Sequence, residues 1–348
     1  MDTDSGRRLA DRTCLILLTL WVPVTCGSAT RGWRIVHLIS HLLSLLAFAH
    51  FCFICFQAYV TYGISQRTLA AVVFTMTAFA CRLILWIRRD KLRTLLIKTI
   101  AGLDSESVGA LTGSINACLA VWLLVFLLHL SSVAYTVVTQ NGGLALQLTR
   151  IVQLPIIFWI MTTVVFYAGV LLILSRLLVL QMQRITATLA SLCFLKADVL
   201  LTVSRLHSMQ SSISEFDDAM SSLPFLWFLL GITCSSGYLS QLISSGGQLI
   251  TFVYFSQDYL PPVVLVLLIS RLKRRLEREA RQASQSLASH PCISSGEKML
   301  LLREMDLVVG SEVTGASFFP LNKTFLVSYL GSVLTFAVLI AGLMKKSL

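Results

Sequence analysis

Seven apolar runs dominate this 348-residue chain, each long enough to cross a roughly 30 Å hydrocarbon layer as a helix. They extend from Ile35 to Tyr59, Thr68 to Ile87, Ile115 to Val138, Ile151 to Ser175, Leu223 to Ser244, Leu249 to Ser270 and Phe325 to Leu343. None alternates apolar and polar residues as a membrane β-strand does, so each is read as a helix. A soluble globule needs more polar surface than 13% charged residues supply. With 56% hydrophobic residues and a mean hydropathy of +0.79, the composition points to an all-α, polytopic, seven-helix transmembrane protein.

The cations set an orientation. Of the 28 Lys and Arg, 23 fall in the N-terminal segment and in the loops after the second, fourth and sixth runs. Arg67, Arg150, Lys345 and Lys346 fall on the other side, and Arg82 lies within the second run. Cationic segments near membrane ends stay in the cytoplasm, which predicts an inside N-terminus and an outside C-terminus. The net charge of +11 is therefore a topology signal rather than a nucleic-acid footprint, because no basic patch is interleaved with exposed aromatics.

That orientation is the inverse of a G-protein-coupled receptor. The end of the third run also reads Val133-Ala134-Tyr135-Thr136, where such a receptor carries an acidic-Arg-Tyr motif. Arg7, Arg8 and Arg12 ahead of the apolar stretch Cys14 to Val24 imitate a signal peptide. Cleavage there would place Arg31 and Arg34 on the translocated side, against the charge rule, so residues 1–34 are read as a cytosolic segment docked at the inner face. Outside loops are short, whereas Arg176 to Ser222 and Arg271 to Thr324 are long. The first keeps Leu177, Leu180, Ile185, Leu189, Leu192 and Leu195 at helical spacing, which predicts that residues 176–222 extend the neighbouring spans as cytosolic helices. The second opens as a charged helix, breaks at Ser289-His290-Pro291-Cys292 and resumes through Met299 to Val309.

The end of the chain carries the most specific pattern. Gly315-Ala316-Ser317-Phe318-Phe319-Pro320-Leu321-Asn322-Lys323 leads into the last run, where Thr335-Phe336 is followed five residues later by Gly342-Leu343. This resembles the C-terminus of the arthropod gustatory receptor family, within the insect gustatory and odorant receptor superfamily of seven-helix ligand-gated ion channels. There the last helix carries Thr-Tyr, five apolar residues and Gln-Phe; here Phe336 replaces the Tyr, and Gly342-Leu343 occupies the Gln-Phe place.

The resemblance implies a ligand-gated cation channel in the plasma membrane, opened by a small organic tastant and built as a homo- or hetero-tetramer of related subunits. In that reading residues 35–270 form a six-helix ligand-binding domain, 271–324 a cytosolic anchor that joins subunits, and 325–348 the pore helix with a short extracellular tail. Thr335, Val338 and Gly342 share one helical face and are the expected pore lining. Small residues on such a stripe also serve ordinary helix packing. The ligand is expected in the outer half of spans two to six, where Tyr135, Phe158, Trp159, Tyr238 and Tyr254 can stack and Thr162 and Gln241 can hydrogen-bond. A G-protein-coupled chemoreceptor and a transporter are the alternatives, and the latter lacks midplane ionisable pairs.

Enzymatic and metal chemistry find no support. Cys52 and Cys55 have metal-ligand spacing but lie within an apolar run, where free Cys behaves as a small hydrophobe. His37, His41 and His50 have no facing His or carboxylate set in another span, so no metal and no cofactor is expected. Arg82 is expected to snorkel to the inner interface or to bond a neighbouring helix. Asn322-Lys323-Thr324 matches a glycosylation sequon, but the predicted topology puts it on the cytosolic face, where it stays unmodified.

Overall fold

The computed structural model describes residues 48–49, 52–53, 56, 66–139, 144–191, 196–245 and 249–346. Residues 1–34, most of the first apolar run and His37, His41, His50 and Cys55 lie outside them. The few described residues of the first run are helical, and Phe48 packs edge-on against Phe79 at 4.6 Å.

Ten α-helices follow among the described residues: α1 (Gln66–Ile87), α2 (Arg89–Ala101), α3 (Ser105–Thr139), α4 (Leu144–Ala190), α5 (Lys196–Met220), α6 (Ser222–Leu230), α7 (Ser236–Ser245), α8 (Leu249–Ser289), α9 (Ser295–Gly310) and α10 (Lys323–Lys346). A π-helical turn, Gly231–Ser235, joins α6 to α7, and a hairpin of β1 (Thr314–Gly315) and β2 (Phe319–Pro320) precedes α10.

At 1.5 Å per residue, the 47 residues of α4 and the 41 of α8 span about 70 and 60 Å. Both exceed any hydrocarbon layer twofold, so part of each stands clear of it. These two helices pack along one another and form the spine. Their projecting ends meet α5, α9 and α2, held by buried Met182, Ile185, Leu189, Met209, Leu287, Leu301 and Met305. The corner is closed by His290. Its Nε2–H donates to the Ser191 carbonyl at 3.0 Å, and its Nδ1 accepts the Cys292 N–H at 3.3 Å. Pro291 and this turn end α8 where the sequence predicts a break. The Ser294–Glu297 capping box then starts α9.

Three helical stretches among the described residues are long and apolar enough to cross a membrane: Ile160–Ala190, Ser222–Ser240 and Lys323–Gly342. Several boundaries differ from the sequence reading, and α4 starts at Leu144, seven residues before the expected span. The third span belongs to a helix that begins ten residues early, because Asp104 accepts the Ser107 N–H at 2.8 Å and caps α3. The basic stretch after span two is itself a helix, α2, burying Leu92, Leu95, Leu96 and Ile100. Arg82 is buried, at 8% exposure, in the packing of α1 rather than reaching along the surface.

The fifth apolar run is interrupted. Gly231 abuts the Tyr329 ring from α10 so closely that a Cβ would stand 1.9 Å from the Tyr329 oxygen. The wide turn is lined by hydroxyls that satisfy loosened carbonyls, Thr233 Oγ1 donating to Leu229 and Leu230, each at 3.0 Å.

Candidate functional site

The last helix and its mooring form the candidate site. One face of α10, carrying Leu326, Tyr329, Val333, Ala337 and Ala341, is buried against α7, the π-helical turn and α8. The spacing of these residues keeps a single stripe inward along the helix. The opposite side exposes Val327, Gly331, Leu334, Thr335, Val338, Leu339 and Gly342. The three expected pore residues therefore share a face that the described residues leave uncovered: Val338 is 56% exposed and nothing approaches a Cβ built on Gly342. The Thr335 hydroxyl donates to the Gly331 carbonyl at 2.8 Å.

The foot of α10 is built with care. Asn322 is its N-cap, its Oδ1 accepting the Phe325 N–H at 2.9 Å. Phe319 of the hairpin stacks on Phe325 at 4.1 Å, and Phe228 of α6 meets Phe319, Phe325 and Tyr329 edge-on at 5.8, 4.7 and 4.9 Å. Tyr329 in turn stacks on Tyr259 of α8 at 6.1 Å. The aromatic approach in the sequence is thus a ladder tying the foot of α10 to α6 and α8, with edge-to-face geometry favoured by the ring quadrupoles.

The hairpin turn is strained. Phe318 N–H closes it onto the Gly315 carbonyl at 3.0 Å, and both central residues, Ala316 (φ 51°) and Ser317 (φ 61°), lie in the left-handed region. Such a turn favours Asn-Gly, and left-handed backbone costs about 1–2 kcal/mol for each residue with a Cβ. The surroundings offset this. Asp217 at the end of α5 accepts the Thr314 N–H at 2.7 Å and the Thr314 hydroxyl at 2.8 Å. The Ala316 N–H donates to the Ser221 carbonyl at 2.8 Å, and the Ser317 N–H to Thr314 Oγ1 at 3.1 Å.

Asp217 belongs to an acidic group at the C-terminal end of α5, where a helix dipole disfavours negative charge. Each carboxylate there is matched from another element. Glu215 meets Lys98 of α2 at 2.6 Å, and that hydrogen bond holds its pKa below the ordinary value of 4.5. Asp218 meets Lys91 at 2.7 Å, which holds its pKa below 3.8, and Arg88 donates to the Asp218 carbonyl. The partners of this acidic stretch lie far from it along the chain.

The expected ligand residues are only partly placed. Thr162 of α4 is buried at 3% exposure, and Tyr238 of α7 is half-buried against the core. The side chains of Tyr135, Phe158, Trp159, Gln241 and Tyr254 lie outside the described residues, although their backbones belong to α3, α4, α7 and α8.

A long-helix membrane fold with a separately moored final helix is the class these features define. The chain has the fold of the insect olfactory receptor OR5 from Machilis hrabei, with a TM-score of 0.77 at 14% identity, covering 96% of this chain and 97% of that one. The structure of the same receptor in complex with eugenol matches with a TM-score of 0.72 at 14% identity, over 98% of this chain and all of that one. No family model and no curated protein matches the sequence.

Proposed function

We propose that the chain is a subunit of a chemosensory receptor of gustatory type, a tetrameric, ligand-gated cation channel of the plasma membrane rather than an enzyme. The observation that carries this reading is the correspondence of fold with an olfactory receptor across 96% of the chain, from spine to final helix. The gustatory type rests on the Thr335-Phe336 and Gly342-Leu343 pattern. The uncovered face of α10 supports assembly around a shared axis, with Thr335, Val338 and Gly342 lining the pore and hydrophobic constriction setting the gate. Leu200 of α5 and Met299 of α9, at 70% and 73% exposure, support subunit contacts through the projecting helices.

Tyr135, Phe158, Trp159, Thr162, Tyr238, Gln241 and Tyr254 form the proposed ligand pocket. The eugenol complex of the structural neighbour supports a ligand of similar chemistry, an aromatic body with few polar groups. The N-terminus lies in the cytosol and the C-terminus outside. The channel reading is tested by whole-cell recording from cells expressing the chain during application of a panel of small organic compounds, eugenol among them. Ligand-evoked cation current is expected, with a C-terminal tag stained on intact cells and an N-terminal tag stained only after permeabilisation. An N-terminal tag on the cell surface, with responses that depend on G proteins, would assign the chain to the other receptor class.

A further inference from the structure

We propose that Asp217 is a positioning residue for gating, a latch that holds the foot of the last helix on the end of α5. The proposal rests on the channel reading above and adds the element through which the ligand-binding helices reach the pore helix. Three observations carry it.

First, beside the packing of Phe318 and Phe319 against Phe225 and Phe228 of α6, the hairpin leading into α10 is held to the rest of the chain by a small set of directed bonds. The Asp217 carboxylate receives both donors of Thr314, and the Ser221 carbonyl receives the Ala316 N–H. Carboxylate hydrogen bonds are the stronger kind, and the pair of them fixes direction as well as distance.

Second, the turn so held is one that Ala316 and Ser317 do not favour, at φ 51° and 61°. The conformation persists only because its surroundings over-determine it. Loss of the bonds to Asp217 lets the turn relax, and β2 moves with it. Phe319, stacked on Phe325, and Asn322, capping α10, carry that movement into the helix. In this proposal the hairpin exchanges between the strained form bonded to α5 and a relaxed form released from it.

Third, Asp217 sits where it senses the other helices. Phe216 beside it packs edge-on against Tyr167 of α4 at 5.4 Å, and Tyr167 packs against Trp227 of α6 at the same distance. Glu215 and Asp218 tie the same turn to α2 through Lys98 and Lys91. Movement of α4 or α6 displaces the last turn of α5 and hence the acceptor on which the hairpin depends.

The prediction is one of opposite signs. Asp217→Ala removes the latch, and Thr314→Val, close in shape, removes its hydroxyl. The pair Ala316→Asn with Ser317→Gly gives the turn its preferred residues and strengthens the held form. Hydrogen exchange on the full-length protein in detergent reads the latch directly. The Ala316 amide is expected to exchange about tenfold faster in Asp217→Ala, as loss of a charged hydrogen bond implies, and more slowly than wild type in the turn variant. Current recorded without added ligand reads the coupling. The latch-breaking and turn-relieving variants are expected to shift spontaneous current in opposite directions at matched surface expression, and combining them restores intermediate values.

Shifts of the same sign in both classes, or unchanged exchange at Ala316 in Asp217→Ala, would overturn the proposal. Thr314→Ser, which keeps the hydroxyl, is expected to behave as wild type, and a Thr314→Val phenotype in Thr314→Ser would also overturn it. If wild type carries no current under any condition, the channel reading fails and the exchange measurements still decide the latch.

Discussion

The Asp217 carboxylate receives both the backbone N–H and the hydroxyl of Thr314, at 2.7 and 2.8 Å, across 97 residues of sequence. This contact joins the end of a helix that leads into the fifth span to the hairpin that begins the seventh. Beside it, the Phe319–Phe325 stack and the Asn322 cap make hairpin and helix one mechanical unit. The final helix is thereby moored at its foot and along one face, while its other face is left uncovered.

Gly231 is expected to tolerate no side chain. The Tyr329 oxygen would meet a Cβ at 1.9 Å, and the ring is held between Phe228 and Tyr259, so it has little room to retreat. Overpacking of this kind costs roughly 1–3 kcal/mol. Gly231→Ala should lower the thermal midpoint of the purified protein, and Tyr329→Phe in that background should recover much of the loss. An unchanged midpoint in Gly231→Ala would show that the π-helical turn yields freely.

Asn322 should matter as a cap and not as a glycan site. Asn322→Ala is expected to destabilise the foot of α10 by about 1 kcal/mol, while Asn322→Asp retains the acceptor and most of the stability. Glycosidase treatment of wild type expressed in animal cells should leave gel mobility unchanged. A mobility shift abolished by Asn322→Asp would place this segment on the extracellular side and reverse the proposed topology.

Acid should loosen the base of the fold. The Glu215 and Asp218 carboxyls are held below their ordinary values of 4.5 and 3.8, chiefly by hydrogen bonds from Lys98 and Lys91. A depressed carboxylate pKa contributes stability above its unfolded value and loses it as pH falls through the folded one. Both pairs are largely exposed, so the effect is modest. The thermal midpoint is expected to fall as pH drops below about 4.5, less steeply in Lys91→Ala with Lys98→Ala. Identical acid limbs in wild type and the double variant would show that these pairs contribute nothing to the acid response.

Much of this architecture is legible in the sequence, because apolar length and helical spacing act locally. The break at Ser289–Cys292 is visible because Pro291 cannot continue a helix. The continuous reading of span five fails for a different reason. Gly231 followed by Thr233, Ser235 and Ser236 signals a perturbed turn, but the Tyr329 ring that demands it lies in another helix. Likewise, Glu215, Asp217 and Asp218 stand visibly against the dipole of α5, yet their partners are far along the chain. The Ala316-Ser317 turn is invisible to propensity because tertiary bonds impose it. The basic residues of α2 read as a topology signal and concealed the buried Leu92, Leu95, Leu96 and Ile100 between them.

In the tetramer proposed above, the uncovered face of α10 lines a pore shared by four subunits. Cysteines introduced singly at Val338 and Gly342 test it directly, by the rate at which a charged thiol reagent applied outside blocks current. Block is expected at both positions, faster with an activating compound present. Gly342→Trp, repeated around the axis, is expected to abolish current while surface expression persists. Thiol reagents without effect at either position in any state, together with normal conduction by Gly342→Trp, would make α10 a packing helix and place the pore elsewhere.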